Sequence, residues 1–315
     1  MGLLGRFKPR VAAVEDEADP GPTLNAFFDG PFYDHIRVHK KRPEHDRLTY
    51  NKHCRDSIGH HPITELDNAI MDAWVRDHIV KGYKPSTINK HIFLVNRILN
   101  MARHWGHIPN NPFQNRQIRK LPTGDYKQRF LSEAEVDAVL RACRKDPHPF
   151  LYLFAKLLVL TGARKGEALN ARWRDFDRDR RVWTVPVSKN GRSRRIVLCG
   201  ASLDTLDAIA VRAASLGSPT GRDDLLFVNP RTGKRYDSFY AAWHRARDAA
   251  GLPEVRIHDL RHTYASLLIN QGVTLYEVQT LLGHCNATMT QRYAHLLPDR
   301  LHARAELVGK SLARI

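Results

Sequence analysis

Long apolar runs are missing from this 315-residue chain. No stretch approaches the ~18 consecutive apolar residues that a bilayer-spanning helix needs, so neither a membrane span nor a membrane partner is expected. The opening MGLLGRFKPR lacks the apolar core and small-residue cleavage site of a secretory leader. Gly2 does not make a myristoylation signal, because Arg6 stands where Ser or Thr is required. Cysteine is scarce. Cys54, Cys143, Cys199 and Cys285 lie far apart with no CxxC pair, which argues against a disulfide framework or a zinc ribbon and fits the reducing cytoplasm. No segment gathers the charge of a membrane-surface helix, and no internal repeat is visible.

What the chain does have is positive charge. Fifty Lys and Arg against 33 Asp and Glu give a net +17, with a pI near 10.0. The composition, 42% hydrophobic and 26% charged, is that of a globular protein. A basic excess spread over a whole folded chain suits a polyphosphate partner, and so nucleic acid, better than a basic enzyme with no such partner.

The patterning divides the chain. Residues 1–22, ending VEDEADPGP, read as a mobile tail. A helical pattern begins at Thr23, and TELD (Thr64 to Asp67) offers a capping-box-like start for the helix after it. In STINKHIFLVNRILNMARHWG, Ile88, Ile92, Val95, Leu99 and Ala102 recur at helical spacing between Pro85 and Gly106, giving one apolar face. Lys90, Arg97 and Arg103 fall elsewhere on that wheel, toward phosphates or water. Prolines, asparagines and basic residues then mark a linker within residues 112–127. SEAE (Ser132 to Glu135) predicts a capped helix, and FLYLFAKLLVLTGA a buried one ending near Gly162. WRDFD, RVWTVPV and RRIVL read as three short strands, with Lys189 on the turn SKNGRS. Helices resume at about 201–215, 237–250 and from His258 onward.

The chemistry-bearing positions cluster in the rear half. In HDLRHTYASLLINQG, His258, Arg261 and His262 share one side of a helix, while Leu260, Tyr264 and Leu267 share the other. His258 and His262 have the i, i+4 spacing of a zinc helix, but no Glu follows the first and an Arg lies between them, so a metal is not expected. Tyr264, among leucines, reads as core. His258 and Arg261 suit an anion: arginine offers a permanently charged fork and histidine moves protons near neutral pH. In TGARKGEAL, Glu167 stands three residues after Arg164, able to hold it. In LLGHCN, a helix starting at Thr274 with Glu277 three residues on ends at Gly283, a left-handed cap that turns His284 out of the helix, and Tyr293 follows nine residues later.

The order Arg–Lys–His-x-x-Arg–His–Tyr, carried by TGARKGEAL, VSKNGRSRR, HDLRHTYAS and LLGHCNATMTQRYAHL, resembles the tyrosine recombinase (phage integrase) family. The likeness is closest over residues 128–297. It is weaker over 23–116, where TLNAFF, GHHPITELD and GHIPNNPF look like the family's core-binding domain. It implies a mostly α fold: a helical, SAM-like core-binding domain (23–116), a linker (117–127), and a mixed α/β but mainly helical catalytic domain (128–297) with a three-stranded antiparallel sheet. A tail helix, residues 298–315, would either fold back on its own domain or, as such tails in the family often do, be exchanged between protomers.

The resemblance also implies a chemistry. Tyr293 would attack a DNA phosphodiester, leaving a 3′-phosphotyrosyl link and a free 5′-hydroxyl, so the bond is later resealed without an energy source. Arg164 and Arg261 would clamp the non-bridging oxygens, and His284 would add a hydrogen bond. Lys189 would protonate the leaving oxygen, and His258 would assist proton transfer at Tyr293. Glu167 would orient Arg164. His262, Tyr264 and Arg292 receive no catalytic role. Lys90, Arg97, Arg172, Arg174, Arg192, Arg194 and Arg195 are candidates for phosphate contacts that position the DNA. The implied partners are double-stranded recombination sites and three further copies in a homo-tetramer, with accessory DNA-bending or directionality factors possible. No cofactor is implied. A type IB-like topoisomerase and a catalytically silent DNA-binding regulator on the same fold are the alternatives.

Overall fold

The computed structural model describes residues 20–111, 113, 120–124, 129–186, 193–283, 288–291, 293 and 306. The chain forms two compact units, Met1–Tyr126 and Lys127–Ile315. Among the described residues no helix is long and apolar enough to cross a membrane. The expected 298–315 helix lies outside them apart from Glu306.

The first unit is helical. Thr23 caps α1 (Leu24–Phe27) by accepting the Ala26 N–H, and a π-helical turn carrying Pro31 leads into α2 (Tyr33–His39). Pro43 opens α3 (Pro43–His53), a position where its missing N–H costs nothing. The capping box expected at Thr64 does not start α4 (Asn68–Val80); the helix opens three residues later, capped by Asp67. Asp67 accepts the Ile70 N–H at 2.8 Å. The Thr64 hydroxyl instead donates to the Pro20 carbonyl at 2.6 Å, so a tertiary bond displaces the expected cap. The long helix α5 (Pro85–His104) buries Ile88, Ile92, Val95, Leu99 and Ala102 as their spacing predicts. Burying such side chains stabilises by roughly 1.5–3 kcal/mol each for the larger ones. Tyr50 stacks on Phe28 with ring centroids 3.7 Å apart, and its hydroxyl donates to Asn25 Oδ1 at 2.8 Å.

In the second unit, α6 (Glu133–Lys145) opens with the full capping box of Ser132 and Glu135. The central helix α7 (Leu151–Thr161) is apolar on nearly every side, because α6, α9 (Gly200–Ser215) and α11 (Asp259–Asn270) pack around it. Between α8 (Lys165–Asn170) and α9 lie the strands β1 (Phe176–Asp177), β2 (Val182–Val185) and β3 (Arg194–Val197), antiparallel in that order. Trp183 pairs with Ile196, and both are buried. The turn between β2 and β3, with Lys189 and Arg192, lies outside the described residues. After α10 (Tyr240–Ala249) and α11, Thr274 and Glu277 form the capping box of α12 (Leu275–Leu282), which Gly283 ends at φ 63°. The short α13 (Thr288–Gln291) precedes Tyr293.

Gly162 ends α7 in the left-handed region at φ 60°, and a Cβ there would lie 2.5 Å from Tyr264 Cδ1 and 2.9 Å from Leu282 Cδ2. Tyr264 is therefore a packing residue, as its place among leucines suggested. Both backbone strain and crowding oppose a side chain at Gly162. Gly162→Ala is expected to destabilise the second unit by about 2–4 kcal/mol, read as a lower denaturant midpoint.

Candidate active site

The left-handed turn at Gly162 places Arg164 at the start of α8, one helical turn from Glu167. The Arg164 backbone N–H donates to Glu167 Oε2 at 2.7 Å and its guanidinium to Oε1 at 2.8 Å. A second guanidinium reaches the same carboxylate from the sheet. Arg194 donates through Nε to Oε1 at 3.1 Å and through Nη2 to Oε2 at 2.6 Å. Burial alone would raise the Glu167 pKa, but the Arg194 hydrogen bonds and charge, then those of Arg164, override it and hold the pKa at about 2.

That shift has a consequence for stability. A carboxylate whose pKa is depressed on folding adds stability that is complete above its unfolded value, near 4.5, and is lost as pH falls toward 2. The contribution is on the order of 3 kcal/mol. Urea unfolding of Glu167→Gln should therefore depend less on pH than the wild type across that window.

The third arginine comes from the first turn of α11. Arg261 is 4% exposed and donates to the Gly162 carbonyl at 2.5 Å and the Leu282 carbonyl at 2.7 Å. These carbonyls lie at the C-terminal ends of α7 and α12, where backbone acceptors lack helical partners and favour cations. Arg194 shares the Leu282 carbonyl at 3.0 Å. Burial, then the charges of Arg164 and Arg194, lowers the Arg261 pKa to about 9, against the pull of Glu167. The turn bearing Arg261 is braced from behind. Buried Asp259 accepts the Arg256 backbone N–H at 2.8 Å and its Nη2 at 2.7 Å.

Tyr293 is 2% exposed, and its hydroxyl lies 2.7 Å from His262 Nδ1. It is near enough to Arg261 that a phenolate there would raise the pKa of the guanidinium. His262 is itself buried, and burial, then His258, lowers its pKa to about 4, so it is neutral at physiological pH. His258 stands one ring behind, 5.1 Å from His262 between centroids, and its pKa is lowered by partial desolvation and then by Arg261. The imidazole at the phenol is thus His262, which sequence reasoning left without a role. Its only signal there was the i, i+4 pairing with His258.

The structure brings Arg164, Glu167, Arg261 and Tyr293 together with His258 alongside. Lys189 and His284 lie outside the described residues. Arg194, expected as a DNA contact, is instead a brace of the cleft, its side chain 8% exposed and paired with Glu167. Period-two alternation could have found it, since Arg194, Ile196 and Leu198 share the inward face. Of the other expected phosphate contacts, Arg97 pairs with Asp46 and lies over the Phe32 ring, Arg172 donates to the Asp223 carbonyl, and Arg174 pairs with the Asp223 carboxylate. Lys90 and Arg195 are exposed, and Arg192 is outside the described residues. Among the described residues, no trio of His, Cys, Asp or Glu converges at this cleft as metal ligands would.

Residues 129–300 match the model of the phage integrase family. The integrase of Escherichia phage 186 is 26% identical over 245 residues, covering 76% of this chain and 66% of that protein. The fold matches the Tn1549 transposon integrase, solved with a circular intermediate DNA, at TM-score 0.74 and 20% identity over 91% of this chain and 99% of that one. It also matches a lambda integrase tetramer bound to a Holliday junction, at TM-score 0.68 and 21% identity over 87% of this chain and 78% of that one. With a family model spanning more than half of its length and a shared fold over nearly all of it, the chain belongs to the phage integrase family, the tyrosine-type site-specific recombinases.

Proposed function

We propose that the cleft holds the scissile phosphate of a duplex DNA site and that Tyr293 cleaves it. The observation that carries this reading is the charge balance. Arg164, Arg194 and Arg261 converge with a single carboxylate, Glu167, among the described residues, and burial, then the charges of Arg164 and Arg194, depresses the Arg261 pKa. A bound phosphodiester relieves that repulsion, and more so as charge grows on its oxygens in the transition state.

In the reaction, the Tyr293 oxygen bonds to phosphorus and the bond from phosphorus to the 5′-oxygen breaks. His262 holds the hydroxyl at rest; once the ring has moved to the phosphate, the phenolic proton passes to His258. The leaving 5′-oxygen takes its proton from Lys189, and His284 donates to a non-bridging oxygen. Arg164 and Arg261 hold the non-bridging oxygens, while Glu167 and Arg194 fix their positions. Religation to a new 5′-hydroxyl reverses each step. The exposed Lys90 and Arg195 contact flanking phosphates. Four copies act on two duplexes, an arrangement supported by the tetramer of its structural neighbour on a Holliday junction.

Incubation with nicked suicide duplexes from the chain's own element tests this. A covalent protein–DNA adduct on a denaturing gel, with exchange of strands between two sites, is expected. No adduct would favour a silent regulator, and supercoil relaxation without exchange would favour a topoisomerase.

A further inference from the structure

Away from the arginine cleft, three histidines converge inside the first unit. His53 closes α3, His78 lies in the last turn of α4, and His91 lies early in α5. One ring nitrogen from each falls within 4.8 Å of those of the other two. The His53 and His91 rings stack at 4.0 Å, and His78 stands edge-on to His91 at 5.1 Å. Tyr83 walls one side, its ring 5.1 Å from His53 and 5.5 Å from His78.

The hydrogen bonding of these rings is unusual. His78 Nδ1 lies 2.8 Å from the Trp74 carbonyl. A carbonyl only accepts, so Nδ1 carries the proton and Nε2 presents a bare lone pair. That Nε2 is buried with no partner among the described residues, and so is His91 Nδ1. Buried nitrogens are normally satisfied, and two orphans within one cluster call for an explanation. A backbone carbonyl that fixes the far nitrogen of a histidine is also the usual support of a metal-bound imidazole.

We propose that His53, His78 and His91 form a binding site for a divalent first-row transition ion, best matched by zinc, which staples α3, α4 and α5 together. Imidazole is a ligand of choice for such ions, whereas the absence of a carboxylate from the trio disfavours magnesium and calcium. Zinc binds imidazole at about 2.0–2.1 Å, placing tetrahedral ligands roughly 3.4 Å apart, so closing the site requires the nitrogens to draw about 1 Å nearer and the stacked His53 and His91 rings to tilt until both lone pairs face the ion. His78 and His91 are buried, while half-buried His53 gives the ion an entry path and a place for water as fourth ligand.

The test uses the untagged full-length chain, stripped with a chelator and titrated with zinc chloride, then with cobalt chloride. A single equivalent of zinc should bind and raise the melting temperature, and cobalt should give the visible absorption of a four-coordinate site. His53→Gln, His78→Phe and His91→Phe should each weaken zinc at least tenfold and remove the thermal shift. His53→Gln is the safeguard for folding, because the residue is half-buried at a helix end. Absence of zinc uptake by the wild type overturns the proposal. So does undiminished affinity in all three variants, which would place the ion elsewhere, for example on the adjacent His60 and His61. None of these readings involves DNA cleavage, so they stand apart from the assignments at Tyr293.

Discussion

Tyr293→Phe is expected to form no covalent adduct with a suicide DNA substrate, a loss of at least about 10⁴-fold. The substitution removes one oxygen and leaves the ring. The ring is almost fully buried and packs with Ala265, Ile269, Val278 and Leu282, so the apolar contacts survive. The hydrogen bond to His262 Nδ1 is lost. A neutral bond of this kind contributes only about 0.5–1.5 kcal/mol, too little to unfold a domain. The three arginines are untouched, so binding to a cognate duplex should stay within about twofold while cleavage disappears. Band-shift titration and denaturing gels on the same samples separate the two. An adduct that persists in the phenylalanine variant sinks the nucleophile assignment.

The second large effect is expected at Arg261. Arg261→Ala should slow single-turnover cleavage by about 10²–10³-fold or more and also lower stability. Its two donors satisfy the Gly162 and Leu282 carbonyls, which close different helices. Leaving a buried acceptor bare costs about 1–3 kcal/mol. Arg194 still reaches Leu282, so the Gly162 carbonyl bears most of that loss. Arg261→Lys discriminates between charge and shape. Lysine keeps the positive charge but concentrates it on one nitrogen, which cannot span both carbonyls and still face a phosphate. A loss of about 10²-fold is expected in the lysine variant. Wild-type cleavage in Arg261→Lys would show that charge alone suffices, and the planar fork would then have no special role.

How much of this was legible in the sequence follows from the distance over which each feature is decided. The apolar face of α5, the capping boxes at Ser132 and Thr274, the helix end at Gly162 and the left-handed Gly283 all rest on residues within a turn or two of one another, and the structure shows each of them. The pairing of Arg164 with Glu167 spans three positions and was equally plain. Arg194 was legible only as an inward-facing position, because its partners, Glu167 and Leu282, come near only when the sheet docks against α8 and α12. His262 went unassigned for the same reason, since Tyr293 is 31 positions away. At α4 the local pattern pointed to Thr64 as the cap, but a contact with distant Pro20 takes its hydroxyl and Asp67 caps the helix instead.

The burial of Tyr293, the proposed nucleophile, bears on how the protein can wait safely among the many phosphodiesters of a genome. A hydroxyl held by a neutral imidazole, on a ring 2% exposed, cannot meet a phosphate until the ring swings out. Exposing a ring of this size and breaking one hydrogen bond together cost roughly 3–4 kcal/mol. At equilibrium the armed form is then on the order of one molecule in a few hundred, and contacts made only by a correctly seated duplex must supply the difference. Fidelity is in this way partly a matter of dormancy: stray DNA meets an enzyme whose reactive atom is sheltered, and only a substrate that repays the unsheltering is cut.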